Sequence, residues 1–255
     1  MKFLSNGIRS ILFNIVFYPF TILYCGGVLM PLCLAKTDGP VRRGILVYCN
    51  SSLWIARICL GLKHEYRGLE KLPKRGSFIL AAAHQSNMDP ILTFPLRNDV
   101  TALAKKQLFQ VPFIGTALKK AGIVRIDRES HTAHKGMEQV AEHIQETGRP
   151  LIVYPQATRV RPGDQRRLKS GAYYLQAETN LPVYTVSTNT GLFWTKGFWH
   201  RSGTAIYEID GPLEQGLDKA AFMAVLEKAI VRRSDELTLE AGYGHLLVHD
   251  KQEGE

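Results

Sequence analysis

The stretch Ser77-Phe78-Ile79-Leu80-Ala81-Ala82-Ala83-His84-Gln85-Ser86-Asn87-Met88-Asp89-Pro90 contains two kinds of local structure with a sharp break between them. Residues 77–83 are a short apolar run behind the turn residues Pro73 and Gly76, so they read as a buried strand. Asp89-Pro90 reads as a helix start running to Leu96, because Asp caps well and Pro suits the first helical position. His84 and Asp89 flank the break. In one continuous helix, positions five apart diverge by about 140° and do not meet. Across a strand-to-helix turn they can meet, as a base and the carboxylate that orients it. A second pair of the same spacing, His245 and Asp250, sits in a polar tail with no such frame and is read as incidental.

Outward from this centre the chain alternates. Val100–Ala104, Ile123–Ile126, Leu151–Tyr154, Pro182–Ser187 and Ala205–Ile209 are predicted strands. Between them lie a broken helical region, Lys105–Ala121, interrupted by Pro112, and an amphipathic helix over His134–Glu146. Ser170–Glu178 and the spacing of Phe222, Val225, Leu226, Ala229 and Ile230 predict two more helices. Strands alternating with helices define an α/β sheet domain.

The other end of the chain differs. Ser10 to Ala35 carries no charged side chain, although the 255 residues have a net charge of +9 and a pI near 9.4. A mean hydropathy of −0.09 excludes a multi-span transporter, and 45% hydrophobic residues exclude disorder and fibrous repeats. The run exceeds the roughly 20 residues that a bilayer crossing needs. Pro19, Pro31 and Gly26-Gly27 interrupt it, and basic residues flank both sides: Lys2 and Arg9 before, Lys36, Arg42 and Arg43 after. Such flanks give no orientation by the positive-inside rule, so a span and a re-entrant or in-plane segment both stay open. With a weaker apolar pattern over Gly44–Leu62, residues 1–65 read as a membrane-embedded helical pair and 66–255 as the α/β domain. Cys25, Cys33, Cys49 and Cys59 show neither zinc nor disulfide-framework spacing.

Two basic clusters fall at predicted strand ends, where open α/β sheets hold their ligands. Arg125 and Arg128 surround one. Tyr154-Pro155-Gln156-Ala157-Thr158-Arg159 is the other, with Arg161, Arg166, Arg167 and Lys169 beyond it. The guanidinium fork suits phosphate. Phe193-Trp194 and Phe198-Trp199, with Lys196, His200 and Arg201, read either as core or as an interfacial loop. His131 and His134 lack further ligands, so no metal is expected. Nucleic-acid binding lacks a module and leaves the uncharged N-terminus unexplained, so no nucleic-acid partner is expected.

Taken together these residues resemble the glycerolipid acyltransferase family, specifically the 1-acylglycerol-3-phosphate acyltransferases. The family's H-x4-D block matches His84 to Asp89. Its second block resembles Lys105–Phe109, Pro112-Phe113-Ile114-Gly115 and Gly122–Arg128. Its third, typically F-P-E-G-T-R, corresponds to Tyr154–Arg159, and its fourth to Leu181-Pro182-Val183. The departure is Gln156-Ala157 where the family has Glu-Gly.

The resemblance implies a mixed sheet flanked by helices behind N-terminal membrane helices. It implies transfer of an acyl group from acyl-CoA or acyl carrier protein to the sn-2 hydroxyl of a lysophospholipid, 1-acylglycerol-3-phosphate, in phospholipid biosynthesis. His84 is then the general base and Asp89 its partner. Arg159, Arg128, Arg125, Lys105 and Thr158 would hold the phosphate, and Ser86 and Asn87 would shape the turn and its oxyanion donors. No cofactor is implied beyond the acyl donor as co-substrate. Membrane lipids are the expected surroundings, at the cytoplasmic face of a bacterial inner membrane. The departure at 156–157 keeps a different lysolipid acceptor, such as a lyso-ornithine lipid, and a non-catalytic lipid-binding relative as alternatives.

Overall fold

A computed structural model describes residues 2–126 and 133–247. Among these residues seven strands form one sheet: β1 (Leu62–Arg67), β2 (Ile79–Ala82), β3 (Thr101–Lys105), β4 (Val124–Ile126), β5 (Leu151–Val153), β6 (Val183–Thr188) and β7 (Gly203–Asp210). Their order is β1-β7-β6-β2-β5-β3-β4. All neighbours are parallel except β6 and β7. The central strands carry apolar side chains on both faces, as a sheet covered on both sides requires. Ile79, Ala81, Leu151, Val153 and Val183 face one core; Leu80, Ala82, Ile152, Tyr184 and Val186 face the other.

The first core is covered by α1 (Lys2–Tyr24) and α2 (Gly39–Ile55). The helix that begins with α1 continues through a widened turn, and its stretch Ser5–Leu32 is long and apolar enough to cross a membrane. Its inner face is fastened to the sheet domain. Phe13 and Phe17 pack edge-on against Trp194 at ring distances of 4.9 and 5.0 Å. The Ser10 hydroxyl accepts the His200 N–H at 2.8 Å, and the Asn14 amide donates to the Phe198 carbonyl at 3.0 Å. Ile8, Ile15, Ile22 and Leu23 on α1, and Trp54 and Ile58 on or just past α2, are exposed. Phe193-Trp194 and Phe198-Trp199 therefore divide: the first pair is core, and the second is exposed beside the start of α1. The four cysteines are unpaired thiols.

The remaining helices are α3 (Met88–Thr93), α4 (Ile114–Lys120), α5 (Ala133–Thr147), α6 (Gly171–Thr179), α7 (Thr190–Phe193), α8 (Lys219–Glu227) and α9 (Arg233–Glu240). Residues from α5, α6 and α8 cover the second core, and a widened turn joins α8 to α9. Strand β1 has no counterpart in the periodicity. Leu-Lys-His-Glu-Tyr-Arg carries three charges in six residues, which hides a strand but suits a sheet edge. The 65/66 boundary expected from the sequence falls inside β1, and α1 and α2 share one core with the sheet.

Candidate active site

The site forms where β2, β5 and β6 end side by side. β2 is buried throughout and stops at Ala82; the chain then turns and re-enters as α3. Asn87, not Asp89, occupies the cap position of α3. Asp89 lies in its first turn, fully buried, and its carboxylate reaches back over the break. Oδ2 accepts the Gln85 and Ser86 N–H groups at 2.7 and 2.8 Å and lies 2.9 Å from His84 Nδ1. Oδ1 accepts a hydrogen bond from the Thr190 hydroxyl. A carboxylate only accepts, so Nδ1 must carry the His84 proton. In the neutral ring the lone pair then sits on Nε2, and no hydrogen bond engages that atom among the described residues. The His84 side chain keeps 20% of its surface exposed, enough for a substrate hydroxyl to reach it.

Three neighbours hold the imidazole. Its ring stacks on Tyr154 at 4.3 Å between centroids. Its backbone N–H donates to Gln156 Oε1 at 2.6 Å, and its carbonyl accepts the Val160 N–H at 2.8 Å. Burial, with the nearby Asp89 charge, pushes the Tyr154 phenol well above its ordinary range, so Tyr154 stays a neutral platform. Behind it, Thr93 donates to the Asp89 carbonyl at 2.7 Å and contacts the Tyr207 hydroxyl at 2.5 Å.

Gln156 is buried against the His84 backbone. A Glu there would accept the same N–H, so Gln keeps the hydrogen bond and omits the charge. Ala157 has a φ of 61°, in the left-handed region that disfavours a Cβ. Its N–H closes a turn onto the Tyr154 carbonyl at 2.9 Å. The structure therefore gives the two departures backbone roles under the base.

The expected phosphate ligands are spread unevenly. Arg159 Nη1 donates to Asn87 Oδ1 at 2.9 Å, which brings it to the mouth of the His84 turn. Thr158 is half-buried beside it. Lys105 ends β3, two strands from β2, or about 10 Å at ordinary strand spacing. Arg125 is exposed on the edge strand β4, about 14 Å away on the same measure. Arg128, His131 and Asp250 lie outside the described residues.

Ser86 is built into the turn itself. Its N–H is given to Asp89, and its hydroxyl donates to the Trp194 carbonyl at 2.7 Å while accepting the Met88 N–H at 3.1 Å. Asn87 remains exposed at the turn. The periodicity also missed Thr190. It follows β6, the direct neighbour of β2, in the polar run Thr188-Asn189-Thr190-Gly191. Asn189 Oδ1 accepts the Ile206 N–H at 2.8 Å, and Thr188 Oγ1 accepts the Thr190 N–H at 3.2 Å, which sets Thr190 in place. Gly191 then packs so closely that a Cβ would come within 2.9 Å of Gln85 and Pro162. A run of four small or polar residues closing a buried strand was the available signal.

The buried Asp89 carboxylate, the imidazole it holds at the end of β2 and Arg159 at the mouth of the turn thus form one cluster. The family model described as Acyltransferase matches residues 63–189, from β1 to the residue before Thr190, and the chain belongs to that family. It is similar to the 1-acyl-sn-glycerol-3-phosphate acyltransferase of Pseudomonas aeruginosa, 28% identical over 166 residues, covering 65% of this chain and 64% of the relative. The Homo sapiens 1-acyl-sn-glycerol-3-phosphate acyltransferase beta is 27% identical over 202 residues, covering 76% and 73%. The fold matches the crystal structure of the 1-acyl-sn-glycerophosphate acyltransferase PlsC from Thermotoga maritima, with a TM-score of 0.72 at 23% identity, covering 91% of this chain and 98% of that one.

Proposed function

We propose that the protein transfers a fatty acyl group from a thioester to the sn-2 hydroxyl of 1-acylglycerol-3-phosphate, giving phosphatidic acid. The observation that carries this reading is the His84–Asp89 contact, with Arg159 bonded to Asn87 of the same turn. As the acceptor oxygen attacks the thioester carbonyl, His84 Nε2 removes its proton, and Asp89 stabilises the imidazolium. The negative charge passes to the carbonyl oxygen, and Asn87, exposed at the turn, is the proposed donor. When the intermediate collapses, the carbon–sulfur bond breaks and the imidazolium returns its proton to the leaving thiolate. Arg159 pairs with the acceptor phosphate, and Thr158 lies beside it. Lys105 and Arg125 would act at longer range. The reaction draws on no cofactor, since the thioester, acyl-CoA or acyl carrier protein, is a co-substrate.

The membrane reading follows from the fastening of α1. A helix bonded along its inner face to a charged domain cannot cross a bilayer without drawing that domain in. The exposed outer faces of α1 and α2, with Phe198 and Trp199, suit burial in one leaflet, and basic residues at both ends of the apolar run suit anionic headgroups. In a bacterium this would be the cytoplasmic face of the inner membrane, where water-soluble thioesters are found. The burial of Gln156 against the His84 backbone supports the ordinary acceptor over an unusual one.

The test is acyl transfer in membranes with lysophosphatidic acid and a thioester donor. His84→Ala should lower kcat by about 10² to 10⁴, the usual worth of a general base. Full activity in the variant would end the mechanism, and wild type inactive on lysophosphatidic acid would end the assignment.

A further inference from the structure

We propose that a groove on the solvent side of the sheet holds the phosphorylated nucleotide end of a coenzyme A thioester. The inference rests on the acyl-transfer reading and names its donor. The groove has a volume of about 1020 Å³ and lies between loop residues 163–170 and helix α8 with the turn that follows it. Ligand pockets run to roughly 1,000 Å³, so it can hold a group of nucleotide size.

Its charge asks for an anion. Arg166, Arg167 and Lys169 line it from the loop, and Lys219 and Arg232 from the opposite wall. Among the described residues no ion pair neutralises Arg166, Arg167, Lys169 or Arg232. Lys219 donates to the Tyr174 hydroxyl at 2.9 Å and lies over its ring, neither of which removes its charge. Asp164, Glu227 and Asp235 also line the walls, so five cations face three acids. A phosphate cluster satisfies this balance. An acidic protein surface laid across the groove would meet the three carboxylates as well, which favours the small polyanion.

The groove is also correctly placed. Its loop leaves the catalytic turn directly, since the Val160 N–H is bonded to the His84 carbonyl and Gly163 already lines the groove. Three residues span at most about 11 Å. The loop is anchored at both ends. Gly163, at φ 89°, packs where a Cβ would lie 2.0 Å from the Leu246 carbonyl oxygen, and the Lys169 N–H donates to Pro155. Phe222 and Leu226 of α8 bury on the sheet face opposite α1 and α2. A lipid acceptor would therefore enter from the membrane side, and a water-soluble carrier from the other.

The experiment uses the full chain in phosphatidylcholine vesicles, with coenzyme A binding by equilibrium dialysis and acyl-CoA kinetics run on the same preparations. The triple variant Arg166→Ala, Arg167→Ala, Lys169→Ala should bind coenzyme A roughly tenfold more weakly or worse, because charge-assisted phosphate contacts are lost. KM for acyl-CoA should rise in parallel, with kcat and KM for lysophosphatidic acid unchanged. The variant Arg166→Lys, Arg167→Lys should keep most of the binding. Unchanged coenzyme A binding in the alanine variant, or no binding by wild type, overturns the groove. So does a change confined to KM for acyl carrier protein, which would make the groove a protein dock, or for lysophosphatidic acid, which would make it an acceptor site. Charge-dependent coenzyme A binding without any acyl transfer would keep the groove and sink the catalytic reading instead.

Discussion

The two strand ends that make the site are built to different standards. At the end of β2 the polar atoms of the catalytic turn are committed: Asp89 takes four donors while fully buried, and Ser86 uses both its N–H and its hydroxyl. At the end of β5 the backbone turn has an alanine in the left-handed region, and among the described residues Arg159 makes one side-chain hydrogen bond, to exposed Asn87. The difference matches what the proposed reaction asks of each end. A base must hold one tautomer through every turnover, so its surroundings are rigid. A phosphate clamp must admit and release a lipid, so it stays accessible and loosely tied.

The sharpest way to break this contrast is Asp89→Asn. The amide oxygen can take the place of Oδ2, and the Thr190 hydroxyl can rotate to accept from the new NH₂, so the turn should fold. What disappears is the charge opposite the imidazolium. By analogy with the same change in a Ser-His-Asp triad, kcat should fall by roughly 10³ to 10⁴ while KM for the phosphate acceptor, set at the other strand end, stays put. A loss of less than tenfold in a steady-state assay would mean that this end serves the fold alone.

Thr190→Val sharpens it further, because valine keeps the shape and deletes one of the four donors. A hydrogen bond to a charged group is worth about 1.5–3 kcal/mol, so kcat should fall roughly 10- to 100-fold with both KM values unchanged. Thr190→Ser should restore most of the rate, since it returns the hydroxyl without the methyl. Equal losses in the valine and serine variants would show that packing, not hydrogen bonding, is what the position supplies.

The same contrast explains what could be read from the sequence. The apolar run 77–83, the break at residues 84–88 and the strands ending near Tyr154 and Ser187 were legible, because burial on both faces leaves continuous apolar runs. His84 and Asp89 were legible from the break. Thr190 was not. Its contact joins residues 101 positions apart, and only the adjacency of β6 and β2 brings them together. β1 was hidden because a sheet edge tolerates charge. The role of Gln156 was hidden because its bond is to the backbone of His84, and residue type alone does not say which way a side chain turns.

The smallest effect tests the looser end. Ala157 holds φ near 61° with a Cβ in place, which costs roughly 1–2 kcal/mol for an L-residue. Glycine would remove that cost but lose about 0.5–1 kcal/mol through the greater freedom of the unfolded chain. Ala157→Gly should therefore raise stability by about 0.5–1 kcal/mol, read as a higher denaturant midpoint at unchanged slope. The turn's hydrogen bond to Tyr154 and the Val160 anchor to His84 do not depend on the Cβ. The rate should accordingly stay near wild type, since the base is held from β2 and β6. A lower midpoint would mean that the alanine methyl contributes packing that outweighs its strain. A large fall in kcat would mean that the β5 turn positions His84 as firmly as Asp89 does, and the two strand ends would then be equals.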